Sequence, residues 1–443
     1  MQISPARRTA FEILRRVEEK DAYSSALLAR PENDLNEKDR ALSHELVLGV
    51  LRRRLWLDRA LEHFASRKID SLDLPVTLAL RLGLYQLRFL SRVPASAAIN
   101  ESVNLVKAAR LKSAATFVNA ALRRATREPK YDPSADATEP IEKIAIEASH
   151  PQWLVGRWSE QFGYEEAAAI ARANNDPAPP AFRFTARASG ETERASLIDQ
   201  LRDAGGELAE SQIVPGAWRA ERTPGLLRRL AGRGLIYFQD EASQLVAHLL
   251  RARTGDFVLD VCAAPGSKST SIAAEAPGST IVAADLYEHR VRVMKELASH
   301  QQSDNILFVV SDGTQDLPFN DRSFDRVLVD APCSGTGTLR HNPEIRWRLQ
   351  PTDITEMAGR QKQILEKASR MVRADGWLLY STCSLEKDEN EAVVTEFLER
   401  HPDFRTSPFK TRSDLLTKSG ALRTWPHRQD VDGFFVMAFQ RSG

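Results

Sequence analysis

Phe257-Val258-Leu259-Asp260-Val261-Cys262-Ala263-Ala264-Pro265-Gly266-Ser267-Lys268 runs from an apolar strand, through a loop of small residues, into the start of a helix. Small side chains let a backbone approach a ligand closely, and a helix N-terminus favours a carboxylate or phosphate. The stretch holds neither the Gly-x-x-x-x-Gly-Lys-Ser phosphate loop nor the Gly-x-Gly-x-x-Gly dinucleotide pattern. The same alternation continues downstream, with strands expected at 257–262, 280–285, 306–310, 326–330, 377–382 and 434–439. Helices are expected between them at 268–275, 288–300 and 354–372. Such alternation predicts a doubly wound, largely parallel sheet that binds its ligand beyond the carboxyl ends of the strands.

Acids mark those strand ends. Asp285 comes 25 residues after Asp260, at a position suited to a ribose diol, and Asp312 follows the third strand, where it would face an adenine edge. Each alone reads as a cap or turn residue; together, beside a small-residue loop, they point to an adenosyl ligand. The chain has three cysteines, each after an apolar run. Cys262 lies in the loop above, Cys333 in Asp330-Ala331-Pro332-Cys333-Ser334-Gly335-Thr336-Gly337, and Cys383 in Tyr380-Ser381-Thr382-Cys383-Ser384. Their number and spacing argue against a disulfide framework and against a zinc site, and for a reducing cytoplasm.

The 443 residues exceed one average domain. Residues 5–127 show apolar stripes at helical spacing, with Pro31, Pro75 and Pro94 between them, and predict an all-α bundle of five to seven helices. Residues 131–140 have linker composition, and 141–234 read as a small α+β module. The net charge of +1 is unevenly spread: residues 1–130 hold 24 Lys and Arg against 15 Asp and Glu, so the rest is net acidic. A basic first third suggests a polyanion-binding module. No signal-peptide core and no run of about 20 apolar residues is present, so a soluble, cytoplasmic protein without membrane contact is expected.

Asp-x-Cys-Ala-Ala-Pro-Gly-x-Lys, Asp-Ala-Pro-Cys-Ser-Gly-Thr-Gly and Ser-Thr-Cys-Ser, in this order, resemble the RNA cytosine-5 methyltransferase family. Ser267 departs from the pattern, standing where the family usually has a second Gly. Leu80-Arg81-Leu82-Gly83-Leu84-Tyr85-Gln86-Leu87, Ala98-Ile99-Asn100-Glu101-Ser102-Val103 and Phe117-Val118-Asn119-Ala120-Ala121-Leu122-Arg123-Arg124 resemble the NusB-like domain of its RsmB (Sun/Fmu) subfamily. The resemblance implies a NusB-like helical RNA-binding domain (1–130), a linker (131–140), an RRM-like α+β module (141–234) and a Rossmann-type S-adenosylmethionine-dependent catalytic domain (235–443). The substrate it implies is one cytosine of 16S ribosomal RNA, number 967, presented as RNA or as an assembling small subunit. No metal is expected, and the protein is expected to be a monomer. A transfer-RNA cytosine, or an RNA-binding antitermination-type role, stands as the alternative.

C5 of cytosine is a poor nucleophile until a thiolate adds at C6 and breaks the ring's conjugation. The resemblance assigns the nucleophile to Cys383 and assistance in its release to Cys333, with Asp330 on the cytosine edge and Lys268 near the reacting groups. The Pro-Cys nucleophile of DNA cytosine-5 methyltransferases would promote Cys333 instead. Cys262 reads as a packing residue of the cofactor loop, within the cofactor-binding set Cys262, Ala263, Ala264, Pro265, Gly266, Ser267, Lys268, Asp285, Asp312 and Asp330. RNA contacts are expected from Arg340, Arg346 and Trp347 after the fourth strand, and from Arg52, Arg53, Arg54, Arg123 and Arg124 in the helical third. The target base must leave any stacked context to reach the thiol.

Overall fold

The computed structural model describes residues 3–29, 35–188, 190–222 and 225–443; Met1, Gln2 and Pro31 lie outside them. The chain divides into two compact units, Met1–Pro177 with Leu339–Leu349, and Ala178–Thr338 with Gln350–Gly443.

In the first unit, residues 5–127 form helices Pro5–Lys20, Ser24–Leu28, Glu37–Arg52, Arg54–Ala65, Leu74–Phe89, Ala95–Ala108 and Ala115–Arg127. Leu74–Phe89 is apolar nearly all round and therefore central: Val76 to Gln86 are all buried. Leu14, Leu46, Leu57 and Leu122 share its core. Pro75 sits in that helix's first turn and Pro94 caps the next helix, positions where a missing N–H costs nothing.

The expected boundary at 131–140 is not where the units part. Tyr131 stacks on His63 with ring centroids 4.0 Å apart, and Asp132 accepts a hydrogen bond from Trp56 Nε1 at 3.1 Å. Helices Pro140–Glu147, Gln152–Phe162 and Tyr164–Ala173 also lie in this unit. Ser149 Oγ accepts from Leu55 N–H at 2.8 Å, which satisfies an orphan donor of helix Arg54–Ala65.

Leu339–Leu349 also lies in this unit. The expected RNA-contact segment is built into the first unit through its arginines, which serve the carbonyls that helices leave unsatisfied at their C-terminal ends. Arg346, fully buried, donates to Ser149 O, Asn174 O, Leu339 O and Asn175 Oδ1. Arg340, also buried, donates to Pro177 O, and its own carbonyl receives Arg52 Nη2 at 2.7 Å. Trp347 Nε1 donates to Leu51 O, with Arg54 over its ring. Arg53 lies over Phe89, and Arg124 pairs with Glu128. Of the eight expected RNA contacts, Arg123 is the one that stays exposed.

The second unit holds two sheets. In the smaller, β1 (Ala181–Phe184), β2 (Glu207–Glu210), β3 (Ala217–Arg222) and β4 (Ile236–Phe238) are ordered β2-β3-β1-β4 with antiparallel pairs. Phe182, Leu201, Leu227 and Ile236 form the core between this sheet and helices Glu191–Asp203 and Gly225–Gly232.

The larger sheet comprises β5 (Phe257–Asp260), β6 (Thr280–Asp285), β7 (Ile306–Val310), β8 (Phe324–Asp330), β9 (Val372–Thr382), β10 (Phe404–Thr406), β11 (Leu422–Arg423) and β12 (Phe435–Arg441). Its order is β10-β12-β9-β8-β5-β6-β7, with β11 on β12. The run β7-β6-β5-β8-β9 is parallel, while β12 and β10 are antiparallel additions. Val258, Leu259, Ile281, Val327, Leu328, Leu378 and Leu379 are fully buried, as expected for parallel strands covered on both faces. Strand order reverses between β5 and β8, which places a ligand crevice at the ends carrying Asp260 and Asp330. Among the described residues no helix is long and apolar enough to cross a membrane.

Candidate active site

A cavity of about 250 Å³ lies beyond the carboxyl ends of β5, β6, β7 and β8. Cys262, Ala264, Asp285, Asp312, Asp330, Cys333 and Cys383 all line it, together with Leu286, Tyr287, Arg290, Gly313 and Arg360. The remaining expected cofactor residues, Ala263, Pro265, Gly266, Ser267 and Lys268, lie along the loop itself and do not line the cavity. Gly266 has φ +100°, the left-handed region that glycine tolerates. The N–H groups of Ala263, Ala264 and Gly266 bond within the protein, to Ala284 O, Asp285 Oδ2 and Ala263 O. The small residues therefore act by leaving room rather than by offering these donors.

The cavity fits a nucleoside sulfonium. Asp285 accepts from Ala264 and Tyr287 N–H at 3.2 Å each and faces Arg290 at 3.6 Å. Asp312 takes both its hydrogen bonds from Thr314 on Oδ1, which hold its carboxyl below the usual range. A Cβ on Gly313 would lie 3.0 Å from Val261 Cγ1 and 3.5 Å from Ile364 Cγ2, so only glycine keeps that wall open. Carboxylates at three strand ends suit a cationic ligand, and Leu286 and Tyr287 supply an apolar flank.

The two remaining thiols meet at one end of this cavity. Cys333 Sγ lies 3.2 Å from Cys383 Sγ. The hydrogen bond with Cys383, burial and the negative charges of Cys383 and Glu389 together push the Cys333 thiol well up. Lys268 Nζ donates to Asp330 Oδ2 at 2.6 Å, and Ser381 Oγ donates to Asp330 Oδ1 at 2.7 Å. Burial works to lower the Lys268 ammonium, but Asp330, with Cys383 adding to it, holds it above its ordinary value. A permanent cation thus faces Cys383, while the carboxylate of Glu389 stands behind Cys333. Burial pushes the Cys262 thiol up, with Asp260 adding to it, so it is neutral and unreactive.

Sequence reasoning missed the polar frame behind the thiols. Gln361 Nε2 bonds Pro332 O and Glu389 Oε1, Thr382 Oγ1 bonds Asn390 Oδ1, and Asn390 Nδ2 bonds Ser384 O. Its one signal was Glu386-Lys387-Asp388-Glu389-Asn390-Glu391, a charged run that reads as a solvated helix start.

Residues 247–440 match the 16S rRNA methyltransferase RsmB/F family, 4–127 the NusB family, and 150–223 the ferredoxin-like domain of RsmF/B-like methyltransferases. Along the whole chain the structure resembles the crystal structure of PH0851, with a TM-score of 0.84 at 25% identity and complete coverage of both chains. Fold, cavity and family match define an S-adenosylmethionine-dependent ribosomal RNA methyltransferase. The probable ribosomal RNA small subunit methyltransferase B of Bacillus subtilis is 34% identical over the full length of both chains. The ribosomal RNA small subunit methyltransferase B of Yersinia pestis is 32% identical, covering 93% of this chain and 92% of its own. The chain belongs to the ribosomal RNA small subunit methyltransferase B family, which sets aside a purely RNA-binding role for it.

Proposed function

We propose that this enzyme methylates C5 of a cytosine in 16S ribosomal RNA, by resemblance cytosine 967, through a covalent adduct on Cys383. It acts as a monomer in the cytoplasm, on RNA or an assembling small subunit, without a metal. The observation that carries this reading is the pair of sulfurs 3.2 Å apart, with the Lys268 ammonium in electrostatic range of Cys383. S-adenosylmethionine, when bound, supplies an electrophilic methyl on its sulfonium sulfur.

The Cys383 thiolate forms a bond to C6, and the C5–C6 π electrons become available at C5. Asp330, held by Lys268 and Ser381, hydrogen-bonds the cytosine edge and stabilises the electron-rich ring. Once C5 carries the methyl group, its proton passes to water and the C–H electron pair restores C5=C6. The C6–S pair returns to Cys383, and the Cys333 thiol donates a hydrogen bond to that sulfur as it leaves.

The reading is tested by incubating the enzyme with labelled S-adenosylmethionine and small-subunit RNA or transfer RNA, then mapping 5-methylcytosine by bisulfite sequencing. Label at one 16S cytosine is expected. Label in transfer RNA alone, or on another base, contradicts it.

A further inference from the structure

The two loops that carry the thiols are tied to one carboxylate that the reaction above does not use. Glu389 is fully buried. Its Oε1 accepts from Ser334 N–H at 2.8 Å and from Gln361 Nε2 at 3.0 Å. Its Oε2 accepts from the hydroxyls of both Ser334 and Ser384. Ser334 directly follows Cys333, and Ser384 directly follows Cys383. One side chain therefore bridges the residues next to the two thiols.

The frame is closed on its other sides. Gln361 also holds Pro332 O, the carbonyl just before Cys333, at 2.9 Å. Tyr380 OH donates to Glu389 O at 2.5 Å and to Gln361 Oε1 at 3.1 Å, which fixes the backbone of Glu389 to β9. Gly337 N–H donates to Cys383 O at 2.9 Å, a second tie between the loops.

We propose that Glu389 is a positioning residue for methyl transfer, holding the Cys333 and Cys383 loops at their 3.2 Å sulfur separation; the proposal rests on the covalent reading above. A carboxylate suits this place because it only accepts hydrogen bonds, and four donors converge on it. Burying a charge is costly, and full hydrogen bonding is what makes it tolerable. Reach matters as much as charge, since the side chain spans from the turn before helix Glu391–Arg400 to both serines. Catalysis through two thiols is sensitive to displacement, because a shift of about 1 Å costs about 10²-fold in rate.

Two substitutions separate reach from charge. Glu389→Gln keeps the length, and the serine hydroxyls can turn to accept from its amide. Glu389→Asp keeps the charge but is one methylene too short to hold both loops. Single-turnover methylation of small-subunit RNA, S-adenosylmethionine affinity and thermal midpoint are measured for both, with Cys383→Ala alongside. The glutamine variant is expected within about threefold of wild type, and the aspartate variant about 10²-fold slower, both with cofactor affinity intact. A slow glutamine variant, a fast aspartate variant, or cofactor binding lost together with rate overturns the proposal. If Cys383→Ala methylates normally, the covalent reading itself has failed; if it is inactive while both Glu389 variants are fast, only the role of Glu389 has.

Discussion

Lys268 Nζ and Asp330 Oδ2 meet at 2.6 Å, an ion pair that ties the helix after the small-residue loop to the end of β8. The same ammonium lies 5.4 Å above the Phe434 ring and within electrostatic range of Cys383. One cation thus pairs with a carboxylate and faces a thiol at the same end of the cavity.

Removing that cation leaves Asp330 without its ion-pair partner and Cys383 without a nearby positive charge. Lys268→Met is expected to slow formation of the adduct with 5-fluorocytosine RNA by about 10²-fold, the scale for losing a preorganised electrostatic group. Cofactor affinity falls much less. Rapid-quench kinetics beside calorimetric titration of S-adenosylmethionine separates the two effects.

Asp285 lines the cavity, and if it holds the cofactor ribose as expected, its loss should weaken binding rather than chemistry. Hydrogen bonds to charged groups contribute about 1.5–3 kcal/mol, so Asp285→Asn is expected to raise the cofactor Kd about 10- to 100-fold. At saturating cofactor the rate stays near wild type. Isothermal titration and a rate measured at two cofactor concentrations check this.

Cys262→Ala is expected to retain activity within about threefold, because desolvation, with Asp260 adding to it, keeps this half-buried thiol neutral. Mass spectrometry after iodoacetamide treatment should find Cys262 unmodified.

Asp260 gives a pH dependence of stability. It is fully buried, accepts from Ser269 Oγ at 2.7 Å, and its carboxyl is pushed up to about 7, chiefly by burial. Its native pKa therefore lies above its unfolded value near 4. Stability from the neutral acid is full below about pH 4 and is lost as pH rises to about 7. Asp260→Asn removes this loss, so the variant's denaturant midpoint should gain on wild type from pH 5 to 7 and hold a constant lead above it. A difference independent of pH contradicts the assignment.

The fold was most legible where both faces of a strand are covered. Thr280–Asp285 matches its expected strand because a parallel strand covered on both faces reads as an unbroken apolar run, and Ile306–Val310 matches by its apolar run although it lies at the sheet edge with Leu307 and Val310 exposed. Glu207–Glu210 was missed, a mostly exposed edge strand with acids at both ends and no apolar run to reveal it. Of the site, the motifs displayed the cavity-lining acids and thiols directly. Glu389 and Gln361 stayed hidden because a buried polar group looks, in sequence, like a solvated one. The same holds for Arg346: its charge suggested phosphate, and only the folded chain brings together the carbonyls it donates to.

The most direct test of the central claim is covalent trapping with RNA containing 5-fluorocytosine in the presence of S-adenosylmethionine, followed by denaturing electrophoresis. Fluorine at C5 blocks the final elimination, so the attacking thiol stays bonded to C6. Wild type and Cys333→Ala should form the adduct, and Cys383→Ala should form none. An adduct that survives in Cys383→Ala and vanishes in Cys333→Ala contradicts the account and makes Cys333 the nucleophile.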